Sequence, residues 1–310
     1  MAEAAKKRMA QRVLLVVAVA VAAAVIGGTF YWAQQTDETD GRTTIMATFY
    51  PLAFFAEEIG GDHVTVHTLV PANTEIHAWQ PSTADILAAD DADVLLYNGA
   101  HLDHWFEDDV LPALSATGKT TVETTAIVPL RTIDGKTDPH TWVSPHVARQ
   151  QAEAVYQALA EHDPANASSY ADAWGQLRQR FTDLDGRYQQ ELADRQKNVI
   201  FVTHAAYGYL AERYGFEQQS VIGLSGDEQP GSAAIASLVD RMQREDIYTI
   251  YVDPVYSDTY ADTLQSTLRQ KTGRDAEVLE LYLMLGPVDG LDYFQQQEAN
   301  LDNLKRGLDA

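Results

Sequence analysis

Between residues 167 and 196 the chain has no proline, and Tyr170, Trp174, Leu177, Phe181, Leu184, Tyr188 and Leu192 recur every three or four positions. That is the spacing of one face of an α-helix, here about seven or eight turns long. An uninterrupted helix of this length in mid-chain constrains everything around it. It is expected to act as a spine between two lobes rather than as an ordinary core helix.

On both sides of the spine the pattern alternates between strands and helices. Before it, residues 44–49, 64–69 and 94–97 read as strands, and residues 52–59 and 81–89 as helices; another helix starts near Pro145. After it, 198–202, 249–252 and 276–281 read as strands, and 205–214, 232–244 and 261–272 as helices. Strands that alternate with helices form mostly parallel sheets covered on both faces. The expected fold class is therefore α/β, two α/β lobes joined by one long helix. The halves share an order of elements but no sequence repeat.

The N-terminus differs in kind. Lys6, Lys7, Arg8 and Arg12 precede an apolar run over 13–32 that meets no charge until Asp37. Twenty helical residues can span a bilayer core of about 30 Å. The basic flank then marks the cytoplasmic side and places the bulk of the chain on the extracellular side of the cell membrane. A cleaved signal peptide is the competing reading, because Ala22, Ala23, Ala24, Gly27 and Gly28 supply small residues. The chain accordingly divides into a basic cytoplasmic tail (1–12), a transmembrane anchor or signal segment (13–35), a tether (36–43), an N-terminal lobe (44–166), the connecting helix (167–196) and a C-terminal lobe (197–310).

Charge and composition exclude several functions. Asp and Glu number 45 against 22 Lys and Arg, a net charge of −23. Such a field repels nucleic acid and favours cations. The acids are spread along the chain, as in the solvated acidic surfaces of proteins from salt-rich settings. No cysteine is present, which excludes disulfides, iron–sulfur clusters and thiolate zinc sites. Any metal must be held by nitrogen and oxygen.

Three of the 9 histidines stand in distinctive surroundings: His77 before Ala78-Trp79-Gln80-Pro81, His140 in Asp138-Pro139-His140-Thr141-Trp142, and His204 in Val202-Thr203-His204-Ala205-Ala206-Tyr207-Gly208. All three fall in loops or at a strand end, where functional groups concentrate. His204 directly follows a strand at its carboxyl end, the ligand-binding edge of an open α/β sheet. Three imidazoles plus one carboxylate make a four-coordinate zinc shell. Two of the histidines come from the first half and one from the second, so a metal held by them would bridge the lobes. The carboxylate has two candidates, Asp253 after the strand 249–252 and Asp289 in Gly286-Pro287-Val288-Asp289-Gly290; both also suit turns. His101 and His104 are spaced for one helical face but have no third partner, and read as surface or packing residues.

The usual enzyme signatures are missing: no His-Glu-x-x-His, no Gly-x-Ser-x-Gly, no P-loop and no Gly-rich dinucleotide fingerprint. A zinc-dependent hydrolase is still the alternative of a different class, with Glu75 as general base beside a metal-bound water. A hydrolase keeps an open coordination position, whereas a capture protein closes the shell.

From Thr44 to the C-terminus the chain resembles the metal-binding receptors of ABC importers, the cluster A-I substrate-binding proteins, on the zinc branch. The matching runs include Phe49-Tyr50-Pro51-Leu52, Pro71-Ala72-Asn73-Thr74-Glu75-Ile76-His77, Asp138-Pro139-His140-Thr141-Trp142-Val143-Ser144-Pro145, Thr203-His204-Ala205-Ala206-Tyr207-Gly208-Tyr209-Leu210 and Gly223-Leu224-Ser225-Gly226-Asp227-Glu228-Gln229-Pro230. The resemblance implies two lobes with the metal in the cleft between them, and His77, His140 and His204 as ligands. It implies Asp289 as the fourth ligand. It also implies zinc as the cargo, since the family's third ligand tends to be His in zinc receptors and Glu in manganese receptors. A manganese receptor is the nearer rival. A receptor of this kind works as a monomer, without catalysis, and passes its metal to a membrane permease. Two departures stand out. The His-rich loop of some zinc receptors is absent, because 128–137 is short and has no His. The lipid-bearing cysteine is absent too, which leaves anchorage to the N-terminal helix, or a free receptor.

Overall fold

The computed structural model describes residues 41–115, 118–133, 135–225, 231–256 and 259–310. The basic tail, the apolar segment 13–35 and tether residues 36–40 lie outside the described residues. Among those described, no helix is long and apolar enough to cross a membrane.

The first sheet is built around β1 (Thr43–Ala47), which pairs in parallel with β2 (Val64–Thr68) on one side and β3 (Val94–Tyr97) on the other. β4 (Thr120–Glu123) extends it beyond β3, giving the order β2-β1-β3-β4. All four residues of β3 are buried, as a central parallel strand covered on both faces requires. Helix α1 (Tyr50–Gly60) follows β1 and carries Pro51 in its first turn, where the missing N–H costs nothing. Helix α2 (Thr83–Asp91) starts at a reciprocal cap between Ser82 and Asp85. A short antiparallel pair, β5 (Thr132–Ile133) and β6 (Lys136–Thr137), precedes α3 (Pro145–His162).

Helix α4 (Ala167–Glu191) is the expected spine, 25 residues long and buried along Tyr170, Trp174, Leu177, Phe181, Leu184 and Tyr188. It stops at Glu191, earlier than the periodicity implied. Arg195 donates to the Leu192 carbonyl 2.8 Å away, and this turn redirects the chain into the second sheet.

That sheet repeats the first. β7 (Val199–His204) is central and fully buried, flanked by β8 (Glu217–Ile222) and β9 (Thr249–Val252), with β10 (Glu277–Glu280) beyond β9. The order β10-β9-β7-β8, all parallel, is the same winding as the first sheet. Alternation along β7 divides its side chains. Ile200 and Val202 join a core shared with the first half, while Val199 and Phe201 face α6 (Ser232–Glu245) and α7 (Thr259–Thr272). Helix α5 (Gly208–Tyr214) follows β7.

The last helix, α8 (Tyr293–Leu308), returns to the first half. The Tyr293 ring lies 5.6 Å from Phe54, 5.2 Å from Phe55 and 6.0 Å from Phe181. Its hydroxyl donates to the Trp142 carbonyl at 2.6 Å. α8 and α4 thus tie the two sheets together. In each sheet the winding reverses between the central strand and its later partner, and the carboxyl ends at such reversals are where open α/β sheets bind ligands.

Candidate metal centre

The side chains of His77, His140 and His204 offer ligand atoms that all lie within 4.8 Å of one another. Their ring centroids are 5.4 Å (His77–His140), 4.9 Å (His140–His204) and 6.1 Å (His77–His204) apart. They form the one group of three or more potential ligands among the described residues.

His204 is the final residue of β7 and is buried. The chain turns sharply after it, with the Ala206 amide bonded to the His204 carbonyl at 2.9 Å, so the helix expected from Ala205 begins at Gly208. Its Nε2 lies 3.1 Å from the Leu224 carbonyl. A carbonyl only accepts, so Nε2 carries the hydrogen. Nδ1 is then a bare lone pair, buried and without a protein partner. An orphaned buried acceptor is costly, and a cation answers that cost.

His140 is fixed in the complementary way. Its Nδ1 and its backbone N–H both reach Asp138 Oδ1, at 3.0 and 3.1 Å. The carboxylate accepts, so Nδ1 holds the proton and Nε2 is left as the donor atom. A carboxylate behind a histidine ligand sets the tautomer and ring angle. The sequence placed Asp138 in a motif without giving it this role; a carboxylate two residues before a ligand histidine was the available signal. The segment is held further by Asn98, at the end of β3, whose amide donates to the Pro139 carbonyl at 3.1 Å.

His77 lies in the loop after β2. Both Glu75 oxygens accept backbone amides, from His77 at 2.9 Å and Ala78 at 2.8 Å. The Tyr256 hydroxyl adds a third bond at 3.4 Å. Trp105 supports the loop from beneath, its indole donating to the Ile76 carbonyl at 3.3 Å and packing on Trp79. Burial, aided by His140 and His104, pushes the His77 pKa down to about 3. Burial and the neighbouring imidazoles also hold His204 well below the usual histidine range. Both rings are therefore neutral and ready to ligate at neutral pH.

Neither candidate carboxylate belongs to this cluster. Asp253 follows β9 and is buried, but its oxygens accept the amides of Val255 at 2.8 Å and Leu283 at 2.5 Å. Asp289 is exposed in the turn between Val288 and Leu291, in the left-handed backbone region at φ 52°. Its segment touches the His77 loop through Asn73, whose side-chain amide donates to the Pro287 carbonyl at 2.9 Å. His101 and His104 line the mouth of a cleft of about 390 Å³ that His77 shares with Lys136, Leu224 and Ser225. Of the Gly223–Pro230 run, residues 226–230 lie outside the described residues.

Residues 45–307 match the family described as ZnuA, zinc-uptake complex component A, periplasmic. The high-affinity zinc uptake system protein ZnuA of Bacillus subtilis is 29% identical over 293 residues, covering 88% of this chain and 89% of that protein. The zinc-binding lipoprotein AdcA of Streptococcus pneumoniae is 27% identical over 290 residues, and the chain spans 57% of its length. The Zn(II)-bound ZnuA-like domain of that AdcA superposes with a TM-score of 0.75 at 28% identity, covering 87% of this chain and all of the domain. The chain belongs to the zinc-uptake component A family.

Proposed function

We propose that this member of the family is an extracytoplasmic receptor that captures zinc with His77, His140 and His204 and delivers it to the permease of an ABC-type importer. One observation carries the reading: three buried or half-buried imidazoles, from segments far apart in sequence, converge within 4.8 Å. Two of them have their other ring nitrogen engaged, which leaves one donor atom each for a metal. Neutral nitrogen donors suit zinc, whereas manganese favours more oxygen.

Asp289 is proposed as the fourth ligand, closing the shell with a negative charge that neutral imidazoles do not supply. Its turn must swing inward to reach the cluster, and the Asn73 contact makes that movement one shared with the His77 loop. The hydrolase alternative is disfavoured by Glu75, because both of its oxygens are engaged in holding the ligand loop through the amides of His77 and Ala78. Attachment to the outer face of the membrane by 13–32, action as a monomer, and an acidic surface suited to high salt complete the proposal. Elemental analysis of the purified chain after growth in zinc- and manganese-containing medium tests the choice of metal. Manganese recovered in place of zinc would refute it.

A further inference from the structure

A tightly bonded contact between the two halves lies behind the metal ligands. The Asp138 carboxylate that orients His140 is fully buried, and its second oxygen accepts from Arg131 Nη1 at 3.0 Å. The same guanidinium reaches across to α5, with Nε 2.5 Å from Glu212 Oε2. Tyr209, also on α5, accepts the Arg131 amide at 2.9 Å and donates to the Asp138 carbonyl at 2.8 Å. The guanidinium carbon stands 5.4 Å from the centre of the Tyr209 ring.

Gly208, at the start of α5, permits this approach. A Cβ there would fall 1.7 Å from Arg131 Nη1 and 2.7 Å from Asp138 Oδ2. Gly208 is also four residues beyond His204. The segments that carry His140 and His204 are therefore pinned to each other by Arg131, Asp138, Tyr209 and the bare backbone at Gly208.

We propose that Arg131 is a positioning residue for metal capture. Bound to Asp138 in its own half and seated against the bare backbone at Gly208 and the Tyr209 ring in the other, it holds His140 at a fixed angle to His204, so that separating the halves at α5 loosens the metal site. The inference rests on His140 being a ligand. Arg131 touches no ligand itself and acts through Asp138, as outer-shell partners do, whose loss typically weakens metal binding 10- to 100-fold. Glu212 is 68% exposed, so its share is small, and Arg131 and Gly208 carry the effect.

The experiment measures zinc affinity of the full-length chain by competition with a chromophoric chelator, for wild type, Arg131→Ala, Arg131→Lys, Gly208→Ala, Asp138→Asn and the Arg131→Ala/Asp138→Asn double variant. The visible absorption of bound Co²⁺ reports ligand geometry alongside. Arg131→Ala and Gly208→Ala should each weaken zinc about tenfold or more and alter the cobalt bands. Arg131→Lys should restore part of the loss, because it keeps the charge without the fork. The double variant should bind no worse than the weaker single one. Were Arg131→Ala not to fold, Gly208→Ala and Arg131→Lys would read the same bracket. Wild-type affinity and an unchanged cobalt spectrum in Arg131→Ala or Gly208→Ala would overturn the proposal, even with a lowered melting temperature. Strictly additive losses in the double variant would overturn it too. A wild-type chain that binds no zinc would instead refute the receptor reading itself.

Discussion

The Nε2 atoms of His77 and His140 stand 3.4 Å apart although 63 residues separate them in sequence. Each nitrogen is kept there by a carboxylate of its own segment, Glu75 through the backbone of the His77 loop and Asp138 through the opposite ring nitrogen of His140. His140 Nε2 offers a lone pair, because its Nδ1 proton is held by Asp138, and a cation beside it would find the His77 nitrogen within reach as well.

Removing the carboxylate behind His140 should therefore weaken binding without removing a ligand. Asp138→Asn keeps the shape but places an amide where only an acceptor serves. Zinc affinity is expected to fall about 10- to 100-fold, and calorimetric titration would detect it. Equal affinity would mean that the His140 orientation is set elsewhere.

The two aspartates separate cleanly. Asp289→Ala should weaken zinc at least tenfold, about 1.4 kcal/mol, with the fold intact. Asp253→Ala should change affinity less, because both of its oxygens already hold backbone amides. An Asp289→Ala protein that binds like wild type would leave the fourth position to water.

Asp253 makes a prediction about stability instead. Burial pushes its carboxyl up to about 7, against about 3.9 in an unfolded chain. The folded state holds that proton more tightly, so this contribution is complete below about pH 4 and is lost as pH rises through 7. Asp253→Asn removes the titration. The stability of wild type relative to Asp253→Asn should fall between pH 4 and 7 by up to roughly 1.4 kcal/mol per unit. Asp103, raised by burial to about 6, and His77, lowered to about 3, titrate in both proteins and cancel in the comparison. A pH-independent difference in denaturant unfolding would contradict the assignment.

Phe181 joins α4 to both α1 and α8, 5.6 Å from Phe55 and 4.9 Å from Phe294. Phe181→Ala should cost about 3–5 kcal/mol. Loss of a single cooperative transition, with one half melting first, is the accompanying expectation, and calorimetry with local probes in each sheet would show it.

How much of this was readable beforehand depends on burial. β1, β3, β7 and β9 are central strands, and their apolar runs announce them. β4 and β8 are edge strands with sequences Thr-Thr-Val-Glu and Glu-Gln-Gln-Ser-Val-Ile, too polar to stand out. α8 escaped for a different reason. It buries Gln296, Gln297 and Asn300, which break its apolar stripe. Their amides are not idle, since Gln296 donates to the Gly286 carbonyl at 2.7 Å, Gln297 to Val143 at 2.9 Å and Asn300 to Tyr282 at 2.8 Å. They satisfy backbone carbonyls outside the strands and α-helices. At the site, the histidines were legible from their neighbours. Arg131, Tyr209 and Gly208 were not, because their roles exist only once α5 packs on the segment before His140.

The central claim is that three converging imidazoles select zinc. The most direct measurement is a competition titration of the metal-free chain with zinc and manganese at equal free concentrations, repeated on the triple variant His77→Ala/His140→Ala/His204→Ala. Wild type should take up one zinc to the exclusion of manganese, and the triple variant neither. Displacement of zinc by manganese, or undiminished zinc binding in the triple variant, would contradict it.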